Sequence, residues 1–192
     1  MAVPPVNLCA GGAFSTEEDF MAKDVKPFDG DLYISDGDML SFAGDVCMRN
    51  QNLLAAWYTS YAPDLGLDAL DVLDASPERP VVAFSTEIDD GTRRFTSGDL
   101  LFTPGYVIPN IALVAPFNIG WDIGLDGVQF TGDIANIMKF VSALPNHPRD
   151  EFVRTPGLLA TLLKQYNIDI WFTVEGTAAI GSKSQVLDGD LL

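Results

Sequence analysis

The sequence predicts a mainly β domain in which antiparallel hairpins recur and pack as a compact sandwich. Three observations predict this class: short runs rich in β-branched and aromatic residues, turn-forming residues between them, and a pattern that repeats along the chain. β-Propeller-like blades, or a fragment of a propeller, are the alternative. The sandwich is preferred because a propeller needs at least about four blades.

The composition is that of an apolar but strongly acidic globular chain. Of 192 residues, 47% are hydrophobic, and 27 Asp and Glu stand against 11 Lys and Arg, a formal net charge of -16. This balance argues against nucleic-acid binding, because neutralising phosphates needs clustered cations. Membrane insertion is not expected, since no apolar run has the length of a transmembrane helix. One His and two Cys are too few for a multi-His or Cys-rich zinc site.

Short elements recur in the same order, which predicts a single domain, 1–192, built from internal repeats. The units span about 10–73, 74–133 and, incompletely, 168–192, with a helical insertion at about 134–167. The tetrapeptide Phe-Ser-Thr-Glu, a Gly-Asp-apolar-Leu element and an Asp-apolar-Gly-Leu-Asp element define them. Phe-Ser-Thr-Glu lies at 14–17 and 84–87, with a degenerate copy, Phe-Thr-Val-Glu, at 172–175. The other two elements lie at 37–40, 98–101 and 189–192, and at 64–68 and 122–126.

The chain begins and ends at different points of this unit. Two arrangements satisfy that offset. Either the chain is a fragment of a longer repeat array, or its two ends complete one another in space.

Turn chemistry predicts two hairpins in the second unit. A turn-rich connection over 74–80 separates strand-like residues 67–73 from 81–88. Pro104 and Gly105 suit the two central positions of a tight turn between the runs 98–103 and 106–109.

Helical segments are expected at three places, and less helix is expected at a fourth. Residues 50–58 predict a helical turn capped by Asn50 or Asn52, and Pro116 predicts less helix at the matching point of the second unit. Two short helices are expected over 135–144 and 155–165. The second would have Thr155 as N-cap and proline at its first helical position.

Acidic residues are the most regular feature of the units. The recurring carboxylates are Glu17, Glu87 and Glu175, then Asp38, Asp99 and Asp190, then Asp64 with Asp122 and Asp68 with Asp126. A structural interpretation holds that they cap turns and accept hydrogen bonds from loop amides. The alternative is Ca²⁺ binding, because that ion prefers carboxylate and carbonyl oxygens. The candidate calcium ligands are Asp29, Asp31, Asp36, Asp38, Asp89 and Asp90.

Aromatic residues supply a candidate ligand site. Trp57, Tyr58 and Tyr61 cluster in the sequence, and exposed aromatic rings beside acidic groups suit the binding of sugars. The competing interpretation places Trp57 in the core, because Phe117 stands at the matching position of the second unit.

Catalytic patterns are weak. The single histidine, His147, lies in a Pro-Asn-His-Pro loop and is expected at the surface rather than in a triad. Hydrolysis of a glycosidic bond needs only two carboxylates, and Glu17, Glu87 and Glu175 are available for it. Their repetition favours a structural role, since an active site is usually needed once. No catalytic residue is therefore assigned.

Cys9 and Cys47 leave two alternatives open, a disulfide in an exported protein or two buried thiols.

The elements at 14–17, 98–101 and 65–70 resemble acidic tandem repeats of uncharacterised bacterial secreted or surface proteins, over nearly the whole chain. This resemblance implies export and a repeat context but no activity. Taken with the residues, it predicts a non-enzymatic extracellular β-repeat domain for adhesion, assembly or ligand binding, stabilised by calcium. Its partner would be a glycan or another protein copy. A carbohydrate-active module, binding or hydrolytic, is the alternative.

Overall fold

The computed structural model describes residues 12–23, 32–76, 78–180 and 184–192. In this part of the chain, short strands form several small antiparallel sheets, with a few short helices between them. The mainly β class is therefore confirmed. The sandwich and the propeller concern how the units are arranged, and both stay predictions.

The first described segments form two small sheets and one helical turn. The strands are β1 (Ala13–Phe14), β2 (Phe20–Ala22), β3 (Leu32–Ile34), β4 (Met39–Ser41) and β5 (Val46–Met48), followed by helix α1 (Asn50–Leu53). One sheet has the order β1-β4-β5, and β2 pairs with β3. Cys47, on β5, is disulfide-bonded, and the other cysteine of the sequence, Cys9, lies outside the described residues.

The centre of the molecule is a four-stranded antiparallel sheet in the order β6-β7-β8-β9. Its strands and the helix after them are β6 (Leu70–Asp74), β7 (Val81–Phe84), β8 (Leu100–Phe102), β9 (Tyr106–Ile108) and α2 (Asn110–Val114). Both predicted hairpins are confirmed, one joining β6 to β7 and one joining β8 to β9. Gly105, in the second turn, has a φ of +99°, which a residue without Cβ adopts at least cost.

The last part adds three helices and two strand pairs. Its elements are β10 (Gly127–Gly132), α3 (Ile134–Ala143), α4 (Arg149–Arg154), α5 (Leu158–Tyr166), β11 (Ile168–Thr173), β12 (Ala178–Ile180) and β13 (Ser184–Val186). Strand β10 pairs with β11, and β12 pairs with β13. The two predicted helices are present as α3 and α5.

The central sheet lies between two apolar clusters. Val82, Phe84 and Leu101 belong to a cluster shared with β4, β5 and α1. Ala83 and Leu100 alternate with them and belong to a larger cluster shared with α2, α3, α5, β10 and β11. Because both faces are buried, β7 and β8 read as unbroken apolar runs rather than as alternating patterns.

Several predicted boundaries were wrong, each for a physical reason. The strand expected over 81–88 ends at Phe84. Asn50 does not cap α1 with its side chain, which donates instead to the carbonyl of Pro63 at 2.8 Å. Helix α2 is longer than α1, not shorter, because Pro116 falls at the start of a following 3-10 turn, where its missing N–H is not required. Helix α5 begins at Leu158, since 155–158 close a separate turn first.

Among the described residues, β1 of the first unit and β11 of the last unit have separate pairing partners, and β11 pairs with β10 of the second unit. Strand β1 pairs with β4, and Phe172 of β11 exchanges backbone hydrogen bonds with Leu192. These strands therefore do not pair with each other.

Candidate functional site: recurring carboxylates at the turns

One buried carboxylate joins the β8–β9 hairpin to the helix that follows it. Asp99 is 1% exposed, and its oxygens accept from the amides of Thr96 at 3.2 Å and Asn110 at 3.0 Å. Nε of Arg149 completes the set at 2.7 Å. The first amides of a helix have no partner within it, so Asp99 satisfies one of them and faces the positive end of the helix dipole.

The matching residue of the first unit makes the same set of contacts. Asp38 accepts from the amides of Ser35 at 3.2 Å and Asn50 at 3.0 Å, and from Nη1 of Arg49 at 2.5 Å. In the last unit, Asp190 accepts from the amide of Leu187 at 2.9 Å and returns its own amide to the Leu187 carbonyl at 3.0 Å.

A second class of carboxylate lies at the surface beside these turns. In the first unit, Asp64 accepts from the hydroxyl of Ser35 and, at 3.4 Å, from the amide of Gly66. In the second unit, Asp122 accepts from the hydroxyl of Thr96 at 2.6 Å and from the amide of Gly124 at 3.0 Å.

A third contact recurs at the position two residues after each of the recurring glutamates Glu17, Glu87 and Glu175. Asp19 accepts from the amide of Asp36 at 3.0 Å, and Asp89 accepts from the amide of Ser97 at 2.8 Å. In the last unit Thr177 stands at this position, and its hydroxyl accepts from the amide of Asp188 at 3.4 Å.

Glu87 and Glu175 lie over glycines of the preceding unit, Gly66 and Gly124. A Cβ on Gly66 would stand 2.8 Å from Cγ of Glu87, and one on Gly124 would stand 2.8 Å from Cβ of Glu175. Both glycines have positive φ, +67° and +78°. The Asp-apolar-Gly-Leu-Asp element therefore requires glycine for two reasons. Its backbone has a positive φ, and the glutamate side chain that lies against the glycine leaves too little room for a Cβ.

Within the described ranges, three carboxylates converge in the first unit and in neither of the others. Asp19, Asp36 and Asp64 each place one oxygen within 4.8 Å of the others, the one such group among the residues described. Burial and the neighbouring Asp64 and Asp19 raise the pKa of Asp36. The hydroxyl of Tyr33 and the Asp36 amide lower the pKa of Asp19, and the same hydrogen bond raises the pKa of Tyr33 to about 12. In the second unit Ser97 replaces the middle carboxylate.

The acidic trio continues into a longer row of like charges. Burial and then the charges of Asp36, Glu17 and Glu175 raise the pKa of Glu87. Burial, a hydrogen bond with Glu175 and the charge of Asp126 raise the pKa of Asp68 to about 8. We call the residues Glu17, Asp19, Asp36, Asp64, Asp68, Glu87, Asp126 and Glu175 the acidic row. A cation bound along it would relieve this repulsion.

The predicted calcium ligands have different surroundings. Asp36 belongs to the trio, and Asp89 takes the place that Asp19 has in the first unit. Asp38 is engaged by protein donors, and so is Asp90, which accepts from the Tyr58 hydroxyl at 2.6 Å and from Arg94. That arginine holds the pKa of Asp90 far below its usual range. Asp29 and Asp31 lie outside the described residues.

Two of the three predicted ligand-binding aromatics take part in packing. Trp57 lies edge-on to Phe84 and to Phe95, with ring centroids 6.1 and 5.5 Å away. The ring of Tyr58 lies under the guanidinium of Arg94, at 4.3 Å. Tyr61 is 76% exposed. Glycan binding stays a prediction. The exposed Tyr61 supports it better than Trp57 and Tyr58, whose rings contact other side chains.

His147 is partly exposed, and its Nδ1 lies 3.1 Å from a carboxylate oxygen of Glu151, one turn along. This contact ties the loop to α4. None of the helices in the described ranges has the length and apolarity to cross a bilayer.

The sequence identifies Asp64 as a recurring acid. Neither Asp64 nor Asp19 was among the calcium ligands predicted from it. A signal existed, because Asp19 and Asp89 both follow the recurring glutamate by two residues. The approach of Asp19 to Asp36 and Asp64 depends on the pairing of β2 with β3 and on the loop before Gly66.

No protein family model, no curated protein and no solved structure shows significant similarity to this chain.

Proposed function

We propose that this chain is a non-enzymatic, extracellular β-repeat domain that functions in assembly and is stabilised by Ca²⁺ at its acidic row. The observation that carries the proposal is the matched use of carboxylates. Asp38 and Asp99 each accept from two turn or helix amides and one arginine. Side chains that repeat a structural contact from unit to unit support a scaffold built by duplication.

The central sheet supports a layered arrangement of these units. Its two faces belong to different apolar clusters, one shared with the first unit and one with the last. Sandwich-like packing of successive units would produce this burial, because each unit would cover the sheet of its neighbour.

Calcium is the cofactor that suits the acidic row. Asp19, Asp36 and Asp64 offer three carboxylates within 4.8 Å of one another, and hard divalent cations prefer oxygen ligands. The disulfide at Cys47 supports an oxidising, extracellular location, where such bonds persist and free calcium is abundant.

The calcium part is tested by thermal unfolding in CaCl₂ and in EDTA. We expect a higher midpoint with Ca²⁺, because a ligand at about 100 times its Kd adds about 2.7 kcal/mol to the free energy of unfolding. Asp36→Ser copies the second unit, where Ser97 stands at this place, and should lose most of the shift. Asp45→Asn, at an exposed position outside the trio, is the matched control and should keep it.

Equal midpoints in Ca²⁺ and EDTA would rule out calcium at this site. Assembly is tested separately by sedimentation velocity over a concentration series, in Ca²⁺. A mass that rises above the monomer is expected, and a monomer at every concentration would contradict assembly.

A further inference from the structure

Two loops beside the acidic row each carry one exposed aromatic ring. Tyr61, in the loop after α1, is 76% exposed, and Trp121, in the loop after α2, is 55% exposed. Each ring stands within three residues of an exposed carboxylate, Asp64 in the first loop and Asp122 in the second. A lone exposed ring needs no explanation, but its recurrence in matching loops of two units does.

The two loops follow one another along the same side of the molecule. Gly66 of the first loop lies against Glu87, and Gly124 of the second lies against Glu175. Burial raises the pKa of Glu87, and the charges of Glu175 and Asp64 are among those that raise it further. An extended ligand that runs along the acidic row therefore passes both loops.

The first residue of each helix holds the loop that follows it. The Asn50 side chain donates to the carbonyl of Pro63 at 2.8 Å. The Asn110 side chain donates to the carbonyl of Gly124 and accepts from the amide of Ile123, both at 3.0 Å. The same kind of side chain thus fixes both loops next to their exposed carboxylates.

Buried apolar residues fix the chain close to each ring. Ala62, next to Tyr61, is 3% exposed, and Ile119, two residues before Trp121, is 2% exposed. The backbone of each loop is therefore held in place while its ring is open to solvent. Such a ring binds a ligand at low entropic cost, because only the side chain has to be ordered.

The exposure of the rings does not come from a missing neighbour. Beside the first loop, Nη1 of Arg94 in the following unit donates to the carbonyl of Trp57, four residues before Tyr61. Beside the second, the amide of Gly176 in the last unit donates to the carbonyl of Ile123 at 2.8 Å. Each loop is thus already packed against the unit that follows it.

A ring beside a carboxylate suits a neutral carbohydrate. The face of a Tyr or Trp ring packs against the C–H groups of a sugar, and a carboxylate accepts hydrogen bonds from its hydroxyl groups. Asp64 and Asp122 already accept from one protein hydroxyl each, those of Ser35 and Thr96. The formal net charge of -16 disfavours glycans that carry carboxylates or sulfates.

We propose that Tyr61 and Trp121 form a binding surface for a neutral polysaccharide that lies along this side of the molecule, with Asp64 and Asp122 as hydrogen-bond acceptors. Tyr61 thus acts with a ring of the next unit rather than with its neighbours in the sequence. The inference requires neither self-association nor calcium, so it stands or falls separately from the proposed function.

Electrophoresis in native gels that contain soluble β-glucan, xylan, galactomannan or pullulan tests this surface. We expect slower migration in at least one of the four, and unchanged migration in polygalacturonate, which is anionic. Tyr61→Ala and Trp121→Ala should each weaken binding about tenfold, and the double variant should show none. Phe42→Ala and Trp171→Ala are the controls, because these rings are 76% and 48% exposed but lie on other elements. Both should bind as the wild type does.

Tryptophan fluorescence locates the bound polysaccharide. The polysaccharide that slows migration should change the emission of the wild type and of Trp171→Ala, but not that of Trp121→Ala. Tyr61→Phe keeps the ring and should retain binding. Because both side chains are exposed, the thermal midpoints of the two alanine variants should equal that of the wild type.

Unchanged migration in all four neutral gels would overturn the proposal. Binding that the double variant retains would do the same. Equal losses in the control variants would also overturn it, since exposed rings would then bind polysaccharide without a defined site.

Discussion

The backbone amide of Asn110 donates to Oδ1 of Asp99 at 3.0 Å, in a place where the two residues are 0% and 1% exposed. The Asn110 side chain continues this network. It donates to the carbonyls of Gly98 at 3.1 Å and Gly124 at 3.0 Å and accepts from the amide of Ile123 at 3.0 Å. The pair therefore joins a hairpin, a helix start and a loop, and it makes this junction sensitive to single substitutions.

Asp99→Asn should destabilise the protein by about 3 kcal/mol, because it removes the negative partner of Arg149 and turns one acceptor into a donor facing an amide. Urea unfolding followed by circular dichroism measures the loss. Asp45→Asn, at an exposed position, should change the free energy of unfolding by less than about 0.5 kcal/mol. Equal effects of the two variants would show that the buried carboxylate is not structural.

Asn110→Ala should cost about 2–4 kcal/mol, since it leaves one buried carbonyl, one partly buried carbonyl and one buried amide without their partner. Asn50→Ala is the matched comparison, because Asn50 occupies the same place in the first unit and its side chain donates to one carbonyl, that of Pro63. The second substitution should cost less. The same unfolding assay compares them, and a larger loss at Asn50 would contradict the role given to the Asn110 network.

Gly66→Ala and Gly124→Ala should destabilise the protein by more than the backbone cost alone, which is about 1–2 kcal/mol for a residue with Cβ in the left-handed region. The excess arises because the new methyl group would contact Glu87 or Glu175. Gly44→Ala isolates the backbone cost, since Gly44 has a φ of +88° and open space around it. Midpoints of thermal unfolding that fall equally in all three variants would argue against this packing.

Stability should fall as pH rises from about 4 to about 8, in part through Asp68, whose pKa burial and Glu175 raise to about 8. Over this range the native state keeps a proton that the unfolded state has released, so raising the pH favours unfolding. Asp68→Asn should make the dependence shallower without removing it, because the pKa values of Glu87 and Asp36 are raised as well. Free energies of unfolding measured across this range check it, and an unchanged slope in Asp68→Asn would contradict it.

The stabilisation by Ca²⁺ should increase as the pH rises, whereas the stability of the calcium-free protein should fall. A bound cation favours the ionised form of Asp36, so the stabilisation by Ca²⁺ should be larger at pH 8 than at pH 5. Thermal midpoints with CaCl₂ and EDTA at the two pH values measure this difference. A calcium shift that is independent of pH would mean that the ion binds away from Asp36.

Local patterns predicted the hairpins well. The β8–β9 turn forms where Pro104 and Gly105 predicted one, and the strands on either side follow from apolar residues bounded by that turn. The positions within the turn were wrong, because the amide of Gly105 donates to the carbonyl of Phe102 at 2.7 Å, which makes Thr103 and Pro104 the central residues. Helix starts were predicted less well. The groups that satisfy the first amides of α1 and α2 are Asp38 and Asp99, which lie across a hairpin and not at the helix itself.

The sequence by itself determined the mainly β class, the recurrence of its elements and the identity of the acids that repeat, because these depend on residue type and spacing. Only the tertiary structure decided which acids are buried acceptors and which form the acidic row. Asp38 and Asp36 stand two residues apart, but one faces amides and an arginine while the other faces carboxylates. The ionisation and partners of a carboxylate depend on burial and on distances to groups remote in the chain, and only folding fixes those distances.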